Sequence, residues 1–86
     1  MDLIQLLEEN NIQYWKSGKN VSSGYIGLQC PFCNDHSNHL GIRLKDLRIT
    51  CWKCGSHGTI KTFQILLKIG YIDAKSIVEN LSQYLN

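Results

Sequence analysis

Cys30-Pro31-Phe32-Cys33 and Cys51-Trp52-Lys53-Cys54 are the two segments of this 86-residue chain that decide its fold. Seventeen residues separate the pairs, which lies within the spacing typical of a four-cysteine zinc site. A Cys-x2-Cys turn places two sulfur atoms on one side of a tight loop, and two such turns complete a tetrahedron around a metal ion that prefers thiolate ligands. Gly55 follows the second pair and suits the left-handed backbone that ends such a turn. The pattern predicts one Zn²⁺ per chain, bound by Cys30, Cys33, Cys51 and Cys54.

Three other interpretations of the four cysteines stay open. The first is two disulfides, although the N-terminus has neither the basic region nor the long apolar stretch of a secretion signal. Four thiolates also hold a single iron ion in rubredoxin-like electron carriers, and one Cys-x2-Cys pair can act as a redox couple. His36, His39 and His57 lie near the cysteine pairs, and we expect them to be spectators because four cysteines already close a structural site.

Length and composition limit the class of protein. We expect residues 1–86 to form one small domain, which buries little more than half of the surface of its unfolded chain, so a metal cross-link is physically useful. No apolar run approaches the length of a membrane span. Reduced cysteines without a secretion signal predict a cytoplasmic protein. Four thiolates and one Zn²⁺ together change the formal charge from +2 to zero, so attraction to nucleic acid requires a local basic face.

Hydrophobic periodicity predicts three helices. We expect Asp2 to cap a first helix that ends at residues 10–11. Thr59 is expected to cap a second helix that stops at Gly70, and Asp73 is expected to cap a third. The apolar positions of the three helices are Leu3, Ile4, Leu6, Leu7, Ile60, Phe63, Leu66, Leu67, Ile77, Val78, Leu81, Tyr84 and Leu85.

Alternating apolar residues predict the strands. Residues 25–30 form a strand that delivers the first cysteine pair, after a turn-rich stretch at 17–24. Residues 39–45 and 47–52 form a strand pair, and a turn at Lys45-Asp46 places Leu44 opposite Leu47 and Ile42 opposite Ile49. With the helices on the inner face, the predicted fold class is α+β: a small antiparallel zinc-ribbon sheet flanked by three helices.

The same register puts two arginines on the outer face of the sheet. Arg43 lies directly opposite Arg48, flanked by Lys45 and Trp52, although like charges facing each other destabilise a sheet. One interpretation is a solvated face on which the arginines splay apart. The other is a nucleic-acid platform, on which arginines bind phosphate and an aromatic ring stacks on a base.

Several segments together resemble a known family. They are Gly18-Lys19-Asn20, then Cys30-Pro31-Phe32-Cys33-Asn34, then residues 51–58, and an apolar helix from Ile60. Their order, their spacing and the Cys-Pro-Phe turn are similar to the N-terminal zinc-binding domain of bacterial and phage replicative primases along nearly the whole chain. Bacterial members usually carry histidine where Cys33 stands, whereas some phage members use four cysteines, so the departure concerns the subfamily and keeps a zinc ligand.

The resemblance implies a role in replication priming. Domains of that family contact the single-stranded DNA template, help to choose the start sequence and assist a catalytic domain in making the RNA primer. Carried over to this chain, the four cysteines hold zinc. The candidate template contacts are Arg43, Lys45, Arg48 and Trp52, followed by Lys19 and Lys53.

Catalysis by this chain alone is not expected. A primase catalytic domain needs clustered acidic metal ligands, and the acidic residues here are scattered, so we assign no catalytic residue. One expected partner is therefore the single-stranded DNA template. The other is a primase or polymerase catalytic domain, or a replicative helicase. The expected location is the cytoplasm, in bacterial, phage or plasmid replication. The alternative is a protein-interaction zinc module, in which Trp52, Tyr25 and the arginines dock a partner protein.

Overall fold

Three helices and one five-stranded sheet make up the parts of the chain that the computed structural model describes, residues 2–33 and 37–83. The predicted α+β class, with an antiparallel sheet and three helices, is confirmed. In chain order the elements are α1 (Leu3–Glu9), β1 (Tyr14–Trp15), β2 (Tyr25–Leu28), β3 (Leu40–Arg43), β4 (Ile49–Cys51), β5 (Gly55–His57), α2 (Thr59–Leu67) and α3 (Tyr71–Gln83).

The sheet is an antiparallel meander in which each strand pairs with the next along the chain. Ile42 pairs with Ile26 on one side and with Ile49 on the other, which confirms the predicted register between Ile42 and Ile49. Since successive side chains alternate between faces, this register gathers the apolar side chains on one inner face. That face carries the buried residues Ile26, Leu28, Leu40, Ile42, Ile49 and Cys51.

The loop between β3 and β4 is longer than predicted. The Arg43 N–H donates to the Arg48 carbonyl over 2.9 Å, so residues 44–47 form the loop, and the predicted turn with Leu44 opposite Leu47 is wrong. Leu44 is exposed, whereas Leu47 takes a positive φ of 64° and is only 1% exposed. The Asp46 carboxylate accepts the Arg48 N–H at 3.1 Å. Burial of Leu47 and this side-chain contact together favour the longer loop.

The helices cover the inner face and complete the core. Asp2 caps α1 as predicted, because its Oδ1 atom accepts the Gln5 N–H at 2.8 Å. Phe63 of α2 is fully buried, and one apolar cluster joins the helices to the sheet. The buried residues that the helices contribute are Leu3, Leu6, Leu7, Thr62, Phe63, Ala74 and Leu81.

Three predicted helix boundaries are wrong. Gly58 is the N-cap of α2, and Thr59 is its first residue, because the Thr59 hydroxyl donates to the Leu47 carbonyl at 2.9 Å instead of capping. α2 ends at Leu67, before Lys68 in the left-handed conformation, and Gly70 accepts the first backbone hydrogen bond of α3. Asp73 therefore lies in the first turn of α3 and does not cap it. The predicted apolar positions Tyr84 and Leu85 lie outside the described residues.

Two glycines face each other on the outer face of the sheet. Gly27 of β2 pairs with Gly41 of β3. A Cβ atom at Gly27 would lie 2.8 Å from Val21 Cγ2, and one at Gly41 would lie 3.0 Å from Tyr25 Cδ2. The absence of side chains at this pair lets Val21 and the Tyr25 ring lie directly on the backbone. The segment before β2 therefore folds back over part of the face that the sequence predicted to be open.

Candidate metal centre

The sheet brings the two cysteine pairs together at one end. Cys30 follows β2 and Cys33 lies in the turn after it, whereas Cys51 ends β4 and Cys54 precedes β5. β2 and β4 both flank β3, and Leu40 of β3 pairs with both Leu28 and Cys51. The two Cys-x2-Cys turns consequently lie at the same end of the sheet. Gly55, with a φ of 100°, takes the left-handed backbone expected after the second pair.

The four sulfur atoms lie within 4.8 Å of one another. The Sγ atoms of Cys30 and Cys54 are 3.6 Å apart, and those of Cys33 and Cys51 are 3.8 Å apart. A regular tetrahedron with metal–sulfur bonds of about 2.3 Å has edges of about 3.8 Å. A disulfide would require about 2.05 Å, and all four cysteines are free thiols. The four cysteines are positioned to chelate one metal ion.

Backbone N–H groups support the sulfur ligands. The Phe32 N–H donates to Cys30 Sγ and the Lys53 N–H donates to Cys51 Sγ, each at 3.4 Å. Burial opposes ionisation of Cys51, but backbone hydrogen bonds from Cys54 and Lys53 outweigh it and lower the pKa of this thiol to about 7. Burial raises the pKa of the Cys33 thiol. Burial raises the pKa of the Cys54 thiol as well. Each turn thus directs one backbone N–H at a sulfur atom, and at Cys51 such contacts favour the thiolate form that binds a metal ion.

His57 contacts one sulfur atom of the candidate centre. Its Nε2 atom lies 3.1 Å from Cys54 Sγ, and its ring stacks on Phe32 with 3.7 Å between centroids and 6° between planes. Cys54 is the exposed cysteine of the four. His57 is therefore placed to donate a hydrogen bond to the ligand most open to water. The three-residue spacing from Cys54 was the only sequence signal for this contact, and we had expected His57 to be a spectator.

Of the other two histidines, the structure describes only His39. His39 is half-buried, and its carbonyl accepts the Trp52 N–H at 3.0 Å. His36 lies outside the described residues.

Arg43 is paired with a carboxylate. Its guanidinium donates to both oxygens of Asp46, from Nε to Oδ1 at 2.9 Å and from Nη2 to Oδ2. This bidentate contact raises the pKa of Arg43 and holds the pKa of Asp46 well below its usual range. Arg48 and Lys45 are exposed beside the same loop. Of the two arginines that the sequence placed face to face, Arg43 is therefore already neutralised by an ion pair.

Aromatic rings continue along the outer face. Tyr25 pairs with Arg43 in the register of the sheet, and its ring centroid lies 6.0 Å from that of Trp52. Trp52 is 48% exposed, and its Nε1 atom donates to the Asn20 carbonyl at 3.2 Å. We call Arg43, Tyr25, Trp52 and Asn20 the outer-face track.

The two weaker lysine candidates lie apart. Lys53 is exposed within the second cysteine turn, and Lys19 is exposed in the loop that precedes β2. Lys19 adjoins Asn20, whose carbonyl accepts the Trp52 Nε1–H, so it lies at the end of the outer-face track. Sequence periodicity gave no signal for this position.

Comparisons with known proteins returned no match: no protein-family model, no curated protein and no solved structure is similar enough to this chain to be reported. Among the described residues, no helix is long and apolar enough to cross a membrane.

Proposed function

We propose that this chain is a zinc-stabilised module that binds single-stranded DNA, and that it serves as the template-binding domain of a primase or of a replication protein that works beside one. The zinc part of the proposal is supported by the donor set. Four thiolates that can reach one ion suit Zn²⁺, which they would bind as a tetrahedron. With all four positions taken by protein the ion would be structural, since no site would remain for water or substrate. Cys30, Cys33, Cys51 and Cys54 would hold it.

The observation that carries the DNA-binding part is the outer-face track. The ring centroids of Tyr25 and Trp52 lie 6.0 Å apart on one face of the sheet, and Tyr25 pairs with Arg43. Asp46 already pairs with the Arg43 guanidinium, so exposed Arg48, which faces Arg43 across the hairpin, would supply the available cation. Aromatic rings beside cations are the features that non-specific binding of single strands requires, because every base has a π-face and every nucleotide a phosphate. The resemblance of the cysteine turns and of residues 51–58 to primase zinc domains supports DNA as the strand and priming as the process.

The proposal assigns no catalytic role to the four cysteines or to the outer-face track. The chain would bind and orient the template, while a separate or attached primase catalytic domain, or a replicative helicase, supplies the chemistry or the unwinding. A cytoplasmic location in bacterial, phage or plasmid replication belongs to the same proposal.

Fluorescence anisotropy with a labelled single-stranded oligonucleotide tests the proposal. The zinc-loaded protein should bind the single strand more tightly than the same sequence as a duplex. Trp52→Ala should weaken binding by about 1–3 kcal/mol through lost stacking, with little change in salt dependence. Tyr71→Ala is the matched control, because Tyr71 is a 56% exposed aromatic on α3, away from the sheet. Absence of binding at low salt, or equal losses in the two variants, would contradict DNA binding at this face.

A protein-interaction module is the second candidate, and one feature of α3 favours it. Ile72 is 81% exposed beside Tyr71, and a cavity of about 180 Å³ lies further along the same helix, lined by residues that include Ile77 and Leu81. Exposed aromatic and aliphatic side chains of this kind are typical of protein-binding surfaces. Pull-down of a primase catalytic domain or helicase that is lost in Ile72→Asp, with strand binding unchanged, would support this candidate.

A further inference from the structure

An open cavity of about 410 Å³ lies at the end of the outer-face track. One wall is Trp15 of β1, and the others come from the loop before β2 and from residues 37–39. Trp52 adjoins two of the lining residues, since its Nε1 donates to the Asn20 carbonyl and its backbone N–H donates to the His39 carbonyl. A volume of this size falls within the range of about 300–1,000 Å³ of small-molecule sites.

Contacts between distant parts of the chain hold the walls in place. The Asn38 Nδ2 atom donates to the Lys19 carbonyl at 2.9 Å, which ties two loops nineteen residues apart. Trp15 pairs with Gly27, and a Cβ atom at Gly27 would come within 3.5 Å of Asn38 Nδ2. Asn38 therefore packs at van der Waals distance from the Gly27 position, between the sheet and the loop.

The lining chemistry fits one nucleotide. Trp15 offers an aromatic surface, Lys19 a positive charge, and Asn20 and Asn38 side-chain amides. Amides of this kind pair with base edges, an aromatic ring stacks on the base, and lysine binds phosphate. Among the described residues no carboxylate or thiol lines the cavity, which suits an anionic ligand and not a metal ion.

We propose that this cavity binds a single nucleotide of the template strand, with the base against Trp15, its edge at Asn38 and its phosphate at Lys19. The inference rests on the proposed function. A strand that stacks on Trp52 would reach the mouth of the cavity with an adjoining nucleotide, because Asn20 and His39 join Trp52 to the cavity. The cavity would thus contact the edge of one base, which differs among the four bases. The outer-face track would contact only base planes and phosphates, which carry no sequence information.

The test is a ¹⁵N-NMR titration of the zinc-loaded protein with deoxynucleoside monophosphates and, separately, with a single-stranded oligonucleotide. Amide signals of residues 17–20 and 37–39 should shift with the oligonucleotide, and those of α3 should not. Shifts with the monophosphates as well would show that the cavity accepts a free nucleotide, and shifts with the oligonucleotide alone would show that it needs the strand. Either result supports the proposal.

Two variants sharpen the test. Lys19→Gln should weaken oligonucleotide binding and lower the slope of log affinity against log salt by about 0.7, and Lys75→Gln on α3 is the matched control. Only the carbonyl of Lys19 takes part in the contact with Asn38, so Lys19→Gln leaves that contact intact. Asn38→Ala should change the preference among the four bases at one strand position.

The outcomes separate the two levels of the proposal. If the oligonucleotide binds, but Lys19→Gln and Asn38→Ala bind it as the unchanged protein does and the signals of the cavity residues stay in place, the cavity proposal is wrong and strand binding stands. If no oligonucleotide binds at low salt, both proposals are wrong.

Discussion

Removal of the metal should unfold this protein. The folded structure holds the sulfur atoms of Cys30 and Cys54 3.6 Å apart and those of Cys33 and Cys51 3.8 Å apart, and the proposed Zn²⁺ would lie among them. Two of these cysteines belong to the apolar core, since Cys30 is 3% and Cys51 is 2% exposed. Without a cation among them, cysteines held so close and so deeply would take up protons, and the bonds that join the two turns through the ion would be lost.

The magnitude follows from the size of the domain. A chain of 86 residues is stabilised by about 4–13 kcal/mol, from the usual 0.05–0.15 kcal/mol per residue. Structural zinc contributes on the order of 10 kcal/mol or more at neutral pH. The loss of the metal therefore removes an amount comparable to the whole stability, and we expect no folded population of the metal-free chain at 25 °C.

Far-ultraviolet circular dichroism before and after chelation, with elemental analysis of the same samples, measures this effect. Helix signal should fall on chelation and return when one equivalent of Zn²⁺ is added. X-ray absorption of the loaded protein should give four sulfur ligands at about 2.3 Å. Cys51→Ser should behave as the chelated protein does, whereas Ser56→Ala, in the neighbouring strand, should not. A cooperative thermal transition in protein shown to contain no metal would refute the reasoning, and a coloured iron form would refute the choice of zinc.

Four further predictions concern strand binding, zinc affinity, packing at Gly27 and catalysis. Arg48→Gln should lower the slope of log affinity against log salt concentration by about 0.7 for strand binding. Arg43→Gln should lower this slope less, because a carboxylate already neutralises that arginine. Anisotropy titrations at several salt concentrations measure the slopes, and equal slopes for the two variants would contradict this. His57→Ala should weaken zinc affinity by about 10–100-fold, because it removes the hydrogen bond to a sulfur ligand. His57→Gln keeps an N–H donor and should lose less affinity. Competition with a chromophoric chelator measures both, and equal affinities in the two variants and the unchanged protein would contradict the contact with sulfur. Gly27→Ala should lower the free energy of unfolding by about 1–3 kcal/mol because the new methyl meets Val21, and Val21→Ala should restore part of the loss. The purified chain should make no primer from template, nucleotides and magnesium, and template-dependent synthesis would overturn its assignment as non-catalytic.

The parts of the fold that the sequence predicted depend on short-range patterns. The cysteine spacing was sufficient to predict the four-sulfur cluster, because each pair is a local turn and only their meeting is long-range. Alternation was sufficient to place Ile42 opposite Ile49, since a slip of one residue would expose every apolar side chain of the strand. The Asp2 cap was equally local, lying three residues from its partner.

The parts that the sequence did not predict depend on contacts between distant residues. Thr59 looked like a cap, but its hydroxyl bonds to Leu47, twelve residues away. The turn after β3 was placed too early because nothing in the local pattern shows that Leu47 is drawn into the core. The cavity at Lys19 exists because Asn38 crosses from another loop, and no periodicity reports such a crossing. Local signals thus predicted elements and ligands, and tertiary contacts decided caps, loops and the shape of the outer face.

The order of the four cysteines along the chain has a consequence for the route of folding. An ion bound by all four cysteines joins Cys30 to Cys54 and Cys33 to Cys51, so it closes loops of 24 and 18 residues, one nested within the other. Closing a loop of this length removes about 3 kcal/mol of chain entropy from the unfolded state. β3 and β4 lie inside these loops, whereas α1, α2 and α3 lie outside. If the ion binds early in folding, β3 and β4 would pair within a chain segment whose ends are already held together. The helices would then pack on a sheet that has already formed.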